Sequence, residues 1–299
     1  MNKQIYFAIL LAGLLFQPKC HAQESAALPF VAIDRNPVTA AMGGAQAVSG
    51  LYNPSAVPFT GSDLVLSYQR WAPSTFKTNN VNLLAAFKVG DKLGINLEGA
   101  FQQGNEIPQV NESGIPGSKS LRPQDLLAGL GVGFAFTENL SAGVSARFAS
   151  TSIESGSSYS AVGADAFVMY HAESLSATVG VANLGTSVES KGQTYPLPAS
   201  VKAGVGYRKD FDQNALRLAA DADYFFVGGF GAAAGAEFGI KDRFFLRAGA
   251  HLGSGKAPLP TYVTLGAGVQ FSGFHLDLCW MTANPVLGNT LHAGLGYQF

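Results

Sequence analysis

The chain has 299 residues, of which 47% are hydrophobic and only 13% are charged, and its formal net charge is −1. The charged fraction of an ordinary soluble domain is roughly 25%, and a near-neutral chain without a basic block argues against nucleic-acid binding. Beyond residue 22, no segment approaches the roughly 18 consecutive apolar residues of a membrane helix. Apolar composition without apolar runs is typical of alternating membrane strands.

Residues 1–22 are predicted to be a signal peptide, because a positive start and an apolar core precede an acceptable cleavage site at Ala22. Lipidation of Cys20 is the weaker alternative, since Lys19 stands where a small residue is needed. Cleavage removes Cys20 and leaves Cys279, which we expect to be a small inward-facing filler without a disulfide.

Residues 23–61 do not alternate and are predicted to form a compact hatch, or plug. The segment is rich in Pro and Gly, yet it is too apolar for a solvated linker. Asn53 and Pro54 fit a tight turn, in which the Asn side chain bonds the backbone and Pro fixes φ. A latch that holds the plug under a permeation path is the alternative role for this pair.

From residue 62 onward the sequence alternates with the period of a β-strand. Strand lengths of about ten residues suit a tilted membrane crossing. The expected fold is all-β: a fourteen-stranded antiparallel transmembrane β-barrel over residues 62–299, with the N-terminal hatch in its lumen. The predicted strands are 62–71, 79–88, 92–103, 124–137, 140–153, 158–171, 174–185, 199–208, 214–226, 230–240, 243–253, 261–271, 274–281 and 290–299.

Short connections alternate with generally longer ones, as expected of an even-stranded barrel with both chain ends on the periplasmic side. The last strand has an unpaired edge unless it pairs with the first and closes the barrel. This strand ends with Tyr297 and Phe299, and we expect these aromatic residues to signal insertion to the barrel-assembly machinery. The outer face is then expected to contact outer-membrane lipid.

The charged residues within the strands fall on the phase opposite the large apolar side chains. A charge on the lipid face costs roughly 2–4 kcal/mol for Arg or Lys near the midplane, so this phase is expected to face the lumen. We interpret the charges as an ion-pair network, with contacts to the hatch or to a ligand as the alternative. The candidates are Arg147, Lys202, Arg217, Asp221, Asp223, Glu237 and Arg247.

The chain carries no pattern that predicts an enzyme. Asp221 and Asp223 share a face like paired catalytic carboxylates, but so many lumen charges make this spacing expected by chance. His275 and Asp277 also share a face, yet no Ser or Cys motif marks a nucleophile. No cluster has metal-ligand spacing, so neither a metal nor a cofactor is expected.

The connection over residues 104–122 is the longest predicted loop, and it places apolar residues on the outer side. Exposed apolar loop residues favour a docking surface for a partner, and a loop folded over the barrel mouth is the alternative. The candidates are Ile107, Pro108, Val110 and Ile115.

Two segments of the hatch, DRNPVTAAMGGAQAV (34–48) and YNPSAVP (52–58), resemble the hatch signature of the PorV/PorQ family. That family is related to FadL-type outer-membrane transporters. In its signature a Met-Gly-Gly or similar stretch precedes Asn-Pro-Ala, and Ser55 departs from it here. The residues that match are Met42, Gly43, Gly44, Asn53 and Pro54.

Later segments are also similar to this family, so the resemblance covers essentially all of the chain after the signal peptide. It implies a hatch-bearing barrel in the outer membrane of a Bacteroidetes-type Gram-negative bacterium. It further implies a shuttle role in type IX protein secretion, with cargo carboxy-terminal domains and surface-attachment subunits as partners. The later segments are 181–185, 197–207, 235–249, 265–280 and 287–299.

Two other functions stay open at this point. The first is FadL-like passive uptake of a hydrophobic small molecule through the barrel wall. This function requires an apolar path from the outer loops into the lumen and a gap or kink in the wall. The second is an envelope scaffold without a transport role.

Overall fold

The computed structural model describes residues 26–73, 77–110, 116–154, 157–190, 192–255, 257–282, 284–285 and 287–299. The predicted signal peptide and Ile115 lie outside these residues. Within the described part of the chain, no helix is long and apolar enough to cross a membrane.

Fourteen antiparallel strands form one closed barrel, which confirms the predicted fold. The first and last strands close the wall, with Asp63 opposite Gln298 and Arg70 opposite Leu291. In chain order the strands are β1 Asp63–Trp71, β2 Thr78–Val89, β3 Leu93–Gln103, β4 Ile107–Val110, β5 Pro116–Leu121, β6 Gln124–Ala135, β7 Leu140–Glu154, β8 Ser157–Ala172, β9 Leu175–Gly185, β10 Ser187–Ser190, β11 Gln193–Pro196, β12 Ser200–Phe211, β13 Asn214–Phe225, β14 Gly229–Ile240, β15 Phe244–Gly253, β16 Tyr262–Phe271, β17 Phe274–Thr282 and β18 Thr290–Gln298.

Two of the predicted loops contain additional strands. The hairpins β4–β5 and β10–β11 lie within residues 104–122 and 185–198, which the sequence predicted to be irregular. Each hairpin pairs with itself and does not join the barrel. Both rise from the end of the barrel that carries the longer connections, which we call the outer end.

The alternation of side chains makes the barrel apolar outside and polar inside. In β18, Leu291 and Leu295 are more than half exposed on the outer face, whereas His292 is buried in the lumen. The same exposed rows of Leu, Val, Phe and Tyr run along the other barrel strands. Because burying apolar surface in lipid stabilises a protein by about 25 cal/mol per Å², this exterior suits hydrocarbon rather than water.

The first described residues of the hatch lie at the outer end of the lumen, and from there the hatch follows the barrel interior to β1. Its regular pieces are the short α-helix Pro37–Ala41 and the 3-10 helices Pro29–Ala32 and Pro54–Phe59. Asn36 caps the α-helix Pro37–Ala41, and Asn53 caps the 3-10 helix Pro54–Phe59. In each case the side-chain oxygen accepts a hydrogen bond from the backbone N–H two residues ahead. A Pro follows each cap, where its missing N–H costs no hydrogen bond.

Two apolar clusters hold the hatch in place. At the outer end, Leu28, Phe30 and Ile33 pack with residues from several strands and connections, so the mouth is closed by a hydrophobic plug. Toward the periplasmic end, Leu51 and Val57 pack against β1 and β2. The residues that complete the mouth cluster include Trp71, Leu127, Val188, Leu197, Tyr262, Met281 and Leu287.

Candidate functional site

Polar side chains of the barrel wall hold the hatch backbone. Asp221 Oδ2 accepts hydrogen bonds from the N–H groups of Gln46 and Ala47, at 2.7 and 2.8 Å. Thr264 Oγ1 accepts from the Gly43 N–H at 3.1 Å and donates to a hatch carbonyl at 2.8 Å. These bonds to β13 and β16, which are three strands apart in the wall, fix the middle of the hatch on this side of the barrel, because an unpaired buried N–H would cost free energy.

Asn53 makes the expected turn contact and also contacts the barrel wall, while its role as a latch under a permeation path stays a prediction. Its Oδ1 accepts from the Ser55 N–H at 2.9 Å, which shapes the turn before Pro54. Its Nδ2 donates to the Ala47 carbonyl at 2.7 Å and to Thr178 Oγ1 of β9 at 3.1 Å. The side chain therefore joins two parts of the hatch to the barrel wall.

The Met42-Gly43-Gly44 stretch has a close-packing role. Gly43 and Gly44 have φ of +75° and +88°, in the left-handed region that favours glycine. A Cβ on Gly43 would lie 2.4 Å from the Ala250 carbonyl oxygen, and a Cβ on Gly249 would lie 2.2 Å from the Gly43 nitrogen. The hatch backbone thus lies directly on β15, with no room for side chains between them.

Some of the predicted charges form a network on the periplasmic side of the hatch. Arg247 binds Glu237 and Asp277, each at 2.6 Å, and all three side chains are buried. Arg217 reaches the other Glu237 oxygen at 3.4 Å from a half-exposed position. His275 extends the network, with its two ring nitrogens bonded to Asp277 and Asp63.

A second network lies level with the hatch on the opposite wall. Arg147 pairs with Glu98 at 2.6 Å and with Asp165 at 3.1 Å, and Glu98 also faces Arg35 of the hatch at 3.6 Å. Lys202 pairs separately with Asp223 at 3.2 Å. Asp221 and Asp223 therefore have different partners, although they share a face.

A cavity of about 80 Å³, the outer cavity, lies between the hatch and the wall formed by β7–β9 and β12–β16. Its lining is mixed: Phe167, Phe225 and Val31 are apolar, whereas Asp34 and Lys202 are charged. A larger cavity of about 480 Å³ lies on the periplasmic side of the hatch and includes the Arg247 network.

Asp34 is the most isolated carboxylate of the outer cavity. Its Oδ1 accepts from Tyr52 at 2.6 Å, from Thr39 at 2.8 Å and from the Asn36 N–H at 3.0 Å. Burial raises the pKa of Asp34, and these hydrogen bonds, led by Tyr52, oppose the rise. Burial and the nearby Asp34 also raise the pKa of Tyr52 well above its ordinary value, so Tyr52 remains a donor.

The barrel wall is irregular beside this cavity. Pairing between β9 and β12 stops at Ala182 and Ser200, although β9 continues to Gly185. On its other side β9 bulges opposite Asp165, where Asn183 adopts φ of +55°. Here the Asn183 N–H donates to Asp165 Oδ1 at 2.7 Å, so a side chain replaces a ladder bond.

The break leaves the outer end of β9 without a strand partner on the β12 side. The described contact across it is a 3.5 Å hydrogen bond from Asn183 Nδ2 to the Pro198 carbonyl. Sequence reasoning missed this site, because residues 174–185 alternate well enough to be predicted as an ordinary strand. The Asn-Leu-Gly at the end of β9 was an available signal, since Asn tolerates positive φ better than most residues.

The remaining sequence candidates lie apart from this cavity. Ile107 and Pro108 are exposed on β4, while the side chain of Val110 is not among those described. Tyr297 and Phe299 stack at 5.7 Å at the periplasmic end, and the Phe299 N–H donates to Ser62 at 3.1 Å. Among the described residues, no group of three or more His, Cys, Asp or Glu is placed to hold a metal ion.

Comparison with solved structures identifies the same fold in bacterial transport proteins. The Ralstonia pickettii toluene transporter TbuX aligns with a TM-score of 0.62 at 13% identity, over 90% of this chain and 99% of the transporter. The Pseudomonas putida toluene transporter TodX gives 0.61 at 14% identity, over 87% and 97%. A Pseudomonas aeruginosa FadL homologue gives 0.50 at 12% identity, over 88% and 95%.

These neighbours are FadL-type outer-membrane barrels, so the fold of this chain is that of an outer-membrane barrel. The structural similarity establishes the fold, but at such low sequence identity it does not identify a ligand. No protein-family model matches the chain, and no curated protein matches it.

Proposed function

We propose that this protein is an outer-membrane channel for passive uptake of a small hydrophobic molecule, which enters through the barrel wall. The observation that carries the proposal is the unpaired outer end of β9 beside the outer cavity. A gap in the wall is the feature that separates uptake from a purely structural barrel. The solved structures with this fold include transporters and channels for toluene and other monoaromatic compounds.

The plugged mouth favours a lateral route over an axial one. The hydrophobic cluster around Phe30 and Leu197 blocks the outer end, and the periplasmic half of the lumen is strongly charged. An apolar solute partitions into the lipid and the wall rather than into a polar pore. A solute that passes through the break at Asn183 reaches Phe167 and Phe225 in the outer cavity.

A reversible disulfide across the break tests this route. The pair Asn183→Cys and Pro198→Cys is designed to join the two segments that the hydrogen bond from Asn183 Nδ2 to the Pro198 carbonyl connects across the break. Accumulation of radiolabelled toluene is measured in cells that express the oxidised variant, the same variant after reduction, or an empty vector. We expect toluene accumulation to be higher in cells with the reduced variant than in cells with the oxidised variant or the empty vector. The oxidised and reduced samples come from one culture, so they are matched controls for each other.

Equal toluene accumulation in the oxidised and reduced states would overturn the lateral route. Equal accumulation with and without the protein would overturn the channel itself. Formation of the disulfide is checked by gel mobility, and folding by the resistance of the barrel to unfolding in sodium dodecyl sulfate at room temperature.

The role in type IX secretion stays a prediction from the family resemblance, without a contact among the described residues that supports it. Its test is separate: a tagged copy is purified from its own outer membrane in mild detergent, and bound proteins are identified by mass spectrometry. Recovery of surface-attachment subunits, or of cargo that shares a carboxy-terminal domain, is the result expected of that role.

A further inference from the structure

Two side-chain oxygens that line the outer cavity are buried without a hydrogen-bond partner. Asp34 Oδ2 is buried without a hydrogen-bond partner, and its residue is only 3% exposed. Gln46 Oε1 is likewise buried and unpartnered. His251 faces the same cavity, and because its Nδ1 contacts the Pro260 carbonyl at 2.9 Å and must donate, its Nε2 is left as an acceptor. An unpartnered buried acceptor destabilises the fold, and more so when it is charged.

The cavity lining carries three acidic and three basic residues, and the buried Glu98 that pairs with two of these cations adds a fourth acidic residue. Each of the three cations pairs with a carboxylate other than Asp34, and among the described residues Asp34 has no ion-pair partner. A buried carboxylate is normally paired, so the site is complementary to a single positive charge. The acidic residues are Asp34, Glu98, Asp165 and Asp223, and the basic residues are Arg35, Arg147 and Lys202.

The size of the cavity limits the bound compound. A cavity of roughly 150 Å³ accepts a benzene ring, whereas the outer cavity measures about 80 Å³. The outer cavity therefore suits a compound with few heavy atoms. Apolar contacts for a short alkyl stem are available from Val31, Phe167 and Phe225, and the aromatic faces favour a cation nearby.

We propose that the outer cavity binds a small primary alkylammonium ion, with its N–H groups on Asp34 Oδ2 and Gln46 Oε1 and its alkyl stem against Phe167. This inference places a cation site beside the proposed lateral route, and its meaning for transport rests on the proposed function. A neutral alcohol has one donor and leaves the Asp34 charge uncompensated. An inorganic cation prefers a cage of oxygen ligands, and it gains nothing from the apolar wall.

Calorimetric titration of the full mature chain in detergent tests the site directly. The probes are n-propylammonium chloride and, as its neutral isostere, 1-propanol, with sodium and potassium chloride as inorganic competitors. We expect n-propylammonium to bind with a stoichiometry of one and at least tenfold more tightly than 1-propanol. Neither inorganic salt is expected to displace it at equal concentration.

Two variants locate the binding. Asp34→Asn keeps the side-chain volume but removes the charge, and it is expected to weaken n-propylammonium binding at least tenfold. Gln46→Ala removes the side-chain amide with its unpartnered oxygen but keeps the backbone N–H that binds Asp221, so the fold is expected to be retained and binding to weaken severalfold. Asp210→Asn is the matched control, because this exposed carboxylate pairs only with Arg208 on the surface.

Three results would overturn the inference: equal affinity for 1-propanol, displacement by potassium at equal concentration, or unchanged affinity in both cavity variants. Its failure is distinguishable from failure of the channel. Protein-dependent toluene accumulation without n-propylammonium binding sinks the inference and leaves the channel standing. Binding of n-propylammonium without protein-dependent accumulation of toluene or n-propylammonium supports the binding site and overturns the channel.

Discussion

The hatch is held most specifically by Asp221, so replacing this residue by Ala is expected to release the middle of the hatch. Asp221 Oδ2 accepts two hatch N–H groups, at 2.7 and 2.8 Å. Hydrogen bonds to a charged group contribute about 1.5–3 kcal/mol each, which gives about 3–6 kcal/mol for the two. The substitution also removes a buried charge whose Oδ1 has no hydrogen-bond partner, and this relief offsets part of the loss.

A net loss of about 2–3 kcal/mol of hatch docking remains, which corresponds to roughly a 30- to 150-fold rise in the released population. Hydrogen exchange followed by mass spectrometry measures this population in the peptide over residues 44–52. Exchange there is expected to accelerate by that factor, while the barrel strands keep their protection. Asp210→Ala is the control, since its carboxylate lies on the surface.

Unchanged exchange over residues 44–52 would refute the assignment of Asp221 as the anchor. Acceleration spread evenly over the barrel would also refute it, because this result reports global destabilisation rather than local release of the hatch.

The remaining predictions concern the close contact, the buried network, the pH dependence and the chain end. Gly43→Ala places a Cβ 2.4 Å from a backbone oxygen of β15, so the hatch is expected to shift and liposome swelling assays to show increased sugar permeability. Arg247→Met removes the buried cation shared by Glu237 and Asp277 and leaves them only the half-exposed Arg217 and His275; it is expected to cost about 3–5 kcal/mol, seen as a lower urea midpoint. Burial raises the pKa of Asp34 above 3.8, so the Asp34 carboxyl binds its proton more tightly in the docked hatch than in the released hatch. Hydrogen-exchange protection of residues 34–39 should therefore fall as the pH rises through the titration of Asp34. The pH dependence should vanish in Asp34→Asn. Deletion of Phe299 removes the terminal hydrogen bond to Ser62, the residue before β1, and should lower the amount of barrel in the outer-membrane fraction.

The barrel was predictable from the sequence because its constraints are local and repeated. One face of every strand contacts lipid, so a period of two appears in each segment, and observed strand ends differ from the predicted ends by at most a few residues. Glu237 and Arg247 were also predictable as neighbours, since consecutive antiparallel strands fix their register. The hatch was recognisable by contrast, as an apolar segment without alternation.

The features that define the site depend on contacts distant in sequence, which no local pattern records. In the sequence, Asp34 looks like any polar residue shortly before a Pro. It lacks an ion pair because Arg35, Arg147 and Lys202 pair with other carboxylates. Those carboxylates are Glu98, Asp165 and Asp223. The break after Ala182 likewise depends on where the chain resumes at Ser200, after a hairpin that the sequence did not predict.

The polar lumen and the proposed apolar ligand are compatible because they concern different parts of the wall. Most lumen charges form ion pairs, as Arg247 does, or bind the hatch backbone, as Asp221 does. These contacts hold the hatch inside the lumen. Asp34 stands apart from this balance and lies beside the one break described between barrel strands β9 and β12. If charge in the lumen served only to hold the hatch, an unpaired carboxylate at this position would be a net cost. Its position beside the break is accounted for by a bound cation, and this links the chemistry of the cavity to the route through the wall.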